Sequence, residues 1–379
     1  MWHPKTILLA LVLVAVSLRA CTGSTTGLSG KPLVTDVSFN PTTHAYTSPL
    51  DHGRPLLLDV SGAAISMPCT APTPPPTTKV TLVASETDGK KLLQQVNFPA
   101  TASCGAPPVD GAIGVAGLGP SPLSFSSQVA SLQKIPNKFA LCLSRNPNSP
   151  GAAIFGGGPL FSPEVITTRL TRRPAEILDV TKIMSPEIPL RLPPHAGALH
   201  QVSARGIAVD GKPLAVTGGG QPIDIGFSTR NPYTELRDDV YRGVLDGIER
   251  ALGPNAAGAK VPATAPFELC YDLKRLNVYV LPRVEFMLEG GQSWNIVDKA
   301  DVHDMEHSGV QAVSSSGNNA ACFPYVRMKQ QPSEGMPAVV IGGFHMAHRV
   351  VVFDQDKQKL SFTPSFISDQ PALGCGRSA

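Results

Sequence analysis

"PLLLDVSG", residues 55–62, is the stretch on which the reading turns. Leu56, Leu57 and Leu58 run into Asp59, and Val60, Ser61 and Gly62 follow as a small-residue turn. An apolar run of this length, rich in branched side chains and closed by glycine, reads as a buried strand. The turn at its end presents the carboxylate. Acid–base hydrolysis built on such a group needs a second carboxylate close enough to share a proton with it. A weak internal echo says where to look. A second strand runs into a small polar turn at residues 223–233, "IDIGFSTRNPY". Each half also carries an apolar run into glycine, "AIGVAGLG" at 112–119 and "AVVIGG" at 338–343, and one helix.

The chain is 379 residues long, more than one ordinary domain and suited to two lobes. Hydrophobic residues make up 42% and charged residues 16%, which excludes a disordered chain. The 32 Lys+Arg against 29 Asp+Glu leave a net charge of +3, which gives no basis for a nucleic-acid partner. Scattered Pro (37) and Gly (35) favour many short strands joined by turns. Lys5 followed by "ILLALVLVAVSL" (7–18) and then small and polar residues reads as a signal peptide over 1–23. That apolar run is shorter than the roughly 20 residues a membrane span needs. A secreted, extracellular product with no membrane partner is expected. Seven cysteines are present, and removal of Cys21 with the signal leaves an even set suited to an oxidising compartment.

Strands are expected at "RPLLLDV", "KVTLVA", "KFALCL", "AAIFGGG", "LNVYVLPRVEFML", "AVVIGG" and "RVVVFD". Helices are expected at Ser124–Gln133 and over "RDDVYRGVLDGIERALG". In the second, Val240, Val244, Leu245, Ile248 and Leu252 form one stripe behind Asp238 and Asp239, and Gly253–Pro254 stop it. "PCTAPTPPPTTK" (68–79) reads as an extended connector. "HDMEH" (303–307) has the spacing of a zinc motif, but its neighbours show no helical stripe and no third ligand, so it reads as a loop or strand edge. His345 and His348 are expected to be exposed. No metal or cofactor is expected.

In order along the chain, "KPLVTDVSFNPTTHAYTSPL", "LLLDVSG", "GVAGLGPSPLSFSSQVAS", "FALCLSRNPNSPGAAIFGGGP", "STRNPYTELRDDVYRGVLDGIERAL", "PFELCYD", "LPRVEFMLEGGQSW" and "AVVIGGFHM…VVFDQDKQKLSFTP" resemble the plant pepsin-like proteins. These are the wheat-type xylanase inhibitors, the basic seed globulins and the extracellular dermal glycoproteins. The resemblance covers nearly the whole mature chain and implies a mainly β, two-lobed pepsin-like aspartic protease fold with a few short helices. It places one lobe over 28–180, shortened and lacking much of the flap, and the other over 181–379. Active members carry a second aspartate a few residues before an aromatic-Thr-x-Leu segment. Here Tyr233, Thr234 and Leu236 set that register, Ser228 stands in the aspartate's place and Arg230 in the glycine's. Asp224 lies four residues earlier and reaching the site would need a different strand register. Asp59 is then a structural remnant, and no protease activity is expected.

The resemblance further suggests the disulfides Cys270–Cys322 and Cys142–Cys375, which leaves Cys69 with Cys104. It implies a partner: a microbial xylanase or other glycoside hydrolase, bound by a monomer in plant defence. Family inhibitors use loops of the second lobe and a histidine in the tail. In this chain the tail reads "TPSF", with Ser365 in the histidine's place and Phe366 after it, and Met287 and Leu288 match a second contact region. Two alternatives stand beside inhibition: a seed-globulin-like binding or storage protein, and an active aspartic endopeptidase.

Overall fold

The computed structural model describes residues 30–69, 77–88, 92–105, 108, 111–157, 184–192, 199–215, 222–272, 274–276, 281–296, 311–315, 318–329, 336–347 and 349–363. Strands β1 (Leu33–Asn40), β2 (Ala45–Asp51), β3 (Arg54–Asp59), β4 (Ile65–Met67), β5 (Thr77–Thr87), β6 (Leu92–Cys104) and β7 (Gly114–Gly117) pair in the order β1-β2-β3-β7-β4-β6-β5. β5 also pairs back onto β1, so the ring closes and its sheet edges are largely used up. The long hairpin β5–β6 is built into this sheet through β1 and β4, and only residues 68–76 separate β4 from β5. β8 (Lys138–Cys142) and β9 (Gly151–Phe155) extend the sheet beyond β1.

The next strands are β10 (Ile188–Pro189), β11 (Gln201–Val209), β12 (Lys212–Pro213), β13 (Ile223–Phe227) and β14 (Thr234–Leu236), then β15 (Lys260–Val261) and β16 (Cys270–Asp272). They are followed by β17 (Val284–Leu288), β18 (Ser293–Asn295), β19 (Gln311–Ser315), β20 (Asn318–Cys322), β21 (Tyr325–Arg327), β22 (Val339–Ile341), β23 (Val350–Asp354) and β24 (Lys359–Phe362). Among the described residues, β18-β17-β11-β13-β22-β14-β21 and β12 make the second lobe's main sheet, and β15-β16-β20-β19 a smaller one. β23 crosses back to pair with β8 of the first lobe, so the first-lobe sheet continues through β8 into β23, β24 and β10 of the second half of the chain. The boundary expected at 180/181 and the signal expected at 1–23 lie outside the described residues.

The internal echo is a topological repeat. In the first lobe β3 pairs parallel with β7, β7 antiparallel with β4, and β4 parallel with β6. In the second, β13 pairs parallel with β22, β22 antiparallel with β14, and β14 parallel with β21. In both lobes the strand behind the turn is apolar because it is covered on both faces: Leu56 and Leu58 are buried on one face and Leu57 on the other, as are Ile225 and Phe227 on one face and Gly226 on the other. Both helices form where periodicity places them. Helix α1 (Phe125–Gln133) starts at Ser124, whose hydroxyl accepts from the Ser127 N–H, and ends at Lys134 in a left-handed conformation. Helix α2 (Asp238–Leu252) buries Val240, Val244, Ile248 and Leu252, with Leu245 packed beside them. The helices are not equivalent in the repeat. The element after β22 that corresponds to α1 is the single turn α3 (Gly343–Met346).

Packing at the lobe boundary is aromatic. Phe353 of β23 stacks on Phe139 of β8 at 4.9 Å and meets Phe227 of β13 edge-on at 5.5 Å, so one ring touches both lobes. Cys69–Cys104 and Cys270–Cys322 are joined, the latter directly across β16 and β20. Cys142 is also disulfide-bonded, and Cys375 lies outside the described residues. Of the proline-rich tract, Thr77–Lys79 are strand and 70–76 lie outside the described residues.

The repeat demands glycine at one place in each lobe. A Cβ on Gly117 would sit 2.4 Å from the carbonyl oxygens of Gly62 and Ala64, and one on Gly342 would sit 2.3 Å from that of Tyr233. Backbone cannot yield as a flexible side chain does. Gly117→Ala and Gly342→Ala should each lower stability by about 3 kcal/mol, read as a shift of the urea midpoint. Loss below about 0.5 kcal/mol, the ordinary surface value, would mean the crossed strands are not packed this closely.

Candidate functional site

The two turns face each other where the lobes meet. Asp59 ends β3, paired with Gly117. Phe227 ends β13, paired with Ile341, so Ser228 and Gly342, one step further, hold the places of Asp59 and Gly117. The glycine contacts agree: Gly117 lies on residues 62–64 and Gly342 on residues 231–233, three to five positions after Asp59 and Ser228 respectively. Asp59, Ser228 and Thr229 are all buried.

A hydroxyl joins the turns. Thr229 Oγ1 donates to the Leu58 carbonyl at 2.6 Å and accepts from the Val60 N–H at 3.0 Å. Val60 occupies the matching place in the first turn and has no hydroxyl to return the contact. The Val60 carbonyl is met instead by Nδ1 of buried His200 at 3.2 Å. A carbonyl only accepts, so the His200 proton is on Nδ1. Burial pushes the imidazole down to about 3, which keeps it neutral.

Around the carboxylate, side chains stand where the resemblance implies glycine. Ser61 Oγ donates to Asp59 Oδ1 at 2.5 Å and lies 3.0 Å from Ser228 Oγ. Ser228 Oγ donates to Asn231 Oδ1 at 3.1 Å. The Arg230 guanidinium is 4.0 Å from the other Asp59 oxygen, but it is largely exposed and contributes little attraction there. The result is a hydrogen-bonded row, Asp59–Ser61–Ser228–Asn231, with one carboxylate in it. A serine hydroxyl does not share a proton with Asp59 as a second carboxylate would. Asp224 does not substitute. It faces Ser203 across β11, with Arg191 and the Ser203 hydroxyl as its side-chain partners.

The other expected contacts are dispersed. Leu288 is corrected: it has no exposed surface and packs in the core opposite Ala204, so it is not a partner contact. Met287 is half-buried on β17, its methyl lying over Gly206. Ser365, Phe366 and the "HDMEH" segment lie outside the described residues. His345, expected exposed, is buried on α3. Its Nδ1 is 2.6 Å from Thr234 Oγ1, its ring stacks on Tyr325, and burial holds its protonation well below the usual range. Among the described residues no group of three or more His, Cys, Asp or Glu could hold a metal ion, and no helix is long and apolar enough to cross a membrane. Sequence reading did not single out Thr229, Asn231 or His200. Thr229 was findable by laying "STRN" on "DVSG"; His200 carries no local signal.

Models of the xylanase inhibitor N-terminal and C-terminal domains match residues 76–157 and 200–364. A rice protein, "Chitinase CLP" of Oryza sativa subsp. japonica, is 34% identical over 88% of this chain and 88% of its own length. The chain belongs to the xylanase-inhibitor family of pepsin-like proteins. "Basic 7S globulin" of Glycine max is 27% identical over 66% of this chain, and the alignment spans 54% of that protein. The crystal structure of edgp superposes with a TM-score of 0.73 at 19% identity, covering 93% of this chain and all of that one. The soybean basic 7S globulin structure gives 0.67 at 18% identity over 90% of this chain and 99% of that one. The fold is therefore pepsin-like, mainly β and two-lobed.

Two expectations follow for this xylanase-inhibitor family member. Thr229→Val strands the Val60 N–H and the Leu58 carbonyl in the lobe junction and should cost about 2–4 kcal/mol, with Thr229→Ser recovering most of it in denaturant titration. His200 gives a pH effect. Between pH 6.5 and about 3 the unfolded chain binds a proton that folded His200 refuses, so stability falls as pH falls through that window. The slope from this one group is at most about 1.4 kcal/mol per pH unit. His200→Leu should flatten the curve of melting temperature against pH. An unchanged slope would show that the imidazole is not held neutral.

Proposed function

We propose that the chain is a secreted, non-proteolytic pepsin-fold protein that acts by binding, with a microbial endo-xylanase or related glycoside hydrolase as partner of the monomer. The observation that carries the first half is the single carboxylate: Ser228 stands where a proton-sharing pair needs its second member, and Ser61 engages Asp59. The match to both xylanase inhibitor domain models supports the choice of partner. Disulfides agree with an oxidising, extracellular setting. Leu288 is core, so the surface left for such contacts in that region is Met287 and the turn after it. A binding or storage role without inhibition is the second reading, favoured by the fold shared with the soybean basic 7S globulin.

The test is titration of the purified protein against a panel of microbial xylanases, with residual activity measured. Inhibition at submicromolar concentration is expected. A folded protein, shown by a cooperative melt, that leaves every xylanase untouched would move the assignment to the storage reading. Chitin hydrolysis belongs in the same assay because of the rice relative's name, and none is expected from this chain. A haemoglobin digest at acid pH should stay blank, and Ser228→Asp alone should not start it, because Ser61 remains hydrogen-bonded to Asp59. Pepstatin-sensitive cleavage by the unaltered protein would overturn the non-proteolytic reading.

A further inference from the structure

Strand β1 changes partners along its length. Its end pairs with β2, Ser38 opposite Thr47 and Phe39 opposite Tyr46, while its start pairs with β5, Leu33 opposite Glu86 and Val34 opposite Ser85. Between the two, Thr35–Val37 pair only with β9, on the far side. β2 bulges at the same level, between Ser48 and Asp51, and Pro49 within that bulge has no N–H to offer a neighbouring strand. The sheet splits there, and a groove of about 590 Å³ opens on the outer face. That volume is in the range of small-ligand sites.

The lining has one chemical character. On hairpin β5–β6, Gln95 lies opposite Ser85 and Asn97 opposite Val83, their side chains in the groove. Asp36 from β1, His52 from the turn after β2, Ser85 from β5 and Thr35, whose hydroxyl is bonded to that of Ser48, are the other polar lining residues. Pro49, Val34, Val83 and Ala84 add small apolar surfaces, and among the described residues no Lys, Arg, Phe, Tyr or Trp lines the groove. An anionic ligand would meet a carboxylate and no cation. A flat aromatic ligand would find no phenyl or indole ring. Vicinal hydroxyls suit the site, since each both donates and accepts, as amide, carboxylate and hydroxyl groups in a row require. Asp36 and Asn97 already have partners within the protein, so the lining is partly ordered before a ligand arrives.

We propose that this groove binds a neutral oligosaccharide. The site lies in the first-lobe sheet, away from Asp59, and does not depend on the proposed inhibition. Without an aromatic platform the affinity is modest, a Kd on the order of 0.1–1 mM.

The experiment is a calorimetric or NMR titration of the full-length protein with xylohexaose, cellohexaose and chitohexaose, and with hexagalacturonate as the anionic comparison. Saturable binding of at least one neutral oligomer is expected, with none for hexagalacturonate. The double variant Gln95→Ala/Asn97→Ala should bind about tenfold weaker or worse, the loss expected when one or two good hydrogen bonds go. Thr81→Ala, exposed on β5 outside the groove, should bind as the parent does. His52→Asn is the second groove variant. His52 has a φ of 49°, which Asn tolerates, so it tests the site even if the double variant misfolds. The proposal is overturned if no neutral oligomer saturates by about 10 mM, a concentration far above the expected Kd, or if the groove variants bind unchanged. Preference for hexagalacturonate overturns it as well. No xylanase is present in the titration, so failure of the inhibition assay leaves this result standing, and the reverse.

Discussion

The Thr229 hydroxyl holds the ends of β3 and β13 together across the lobe boundary, and the geometry of the whole centre depends on it. It satisfies the Leu58 carbonyl and the Val60 N–H, neither of which has water available in the packed junction. His200 takes the other backbone polar group of the same residue, the Val60 carbonyl. With the Val60 N–H and carbonyl both held, the turn that carries Asp59 is fixed against the turn that carries Ser228. Phe353, lying between Phe139 and Phe227, fills the space below and keeps the two lobes in one register.

The same constraint explains how the two turns can vary in side-chain chemistry and keep their shape. The crossed strands need glycine at 117 and 342 because carbonyl oxygens of the opposing loops lie too close for a Cβ. They need nothing of the residues at 61, 228, 230 and 231 beyond fitting the turns. Those positions can change chemistry without cost to the backbone, and here they do: Ser61 is hydrogen-bonded to the carboxylate and Ser228 is hydrogen-bonded to Asn231. Fold and activity are therefore separable at this site. The fold is common to the family.

Some of this was readable before any coordinates. The apolar run into Asp59, the serine cap of α1 and the stripe of α2 are local signals, set by residues within a turn or two of each other. The placing of Ser228 opposite Asp59 was readable because Tyr233, Thr234 and Leu236 sit in the chain at a fixed offset from it. His345 was misjudged because its burial comes from Tyr325 and Thr234, on two other strands. Leu288 is different: Val284, Phe286 and Leu288 alternate with Glu285, and that period of two marks the face of Leu288 as the inward one, as its burial opposite Ala204 bears out. The split in the first-lobe sheet left only Pro49 as a local mark, since a strand that changes partners otherwise reads the same as one that keeps them.

By itself the sequence determined that the chain forms many short strands, two helices and two repeated halves, and that only one of the paired turns carries an aspartate. These follow from periodicity, turn chemistry and order along the chain, which are properties of neighbouring residues. Tertiary structure alone decided that Thr229 and His200 clamp one residue, Val60, between the lobes and that Ser61 reaches Asp59 and Ser228 together. It alone decided that a groove opens where β1 passes from β2 to β5. Each joins segments far apart in the chain through a hydrogen bond or a gap a few ångströms wide, and position at that scale is set by packing, not by residue type.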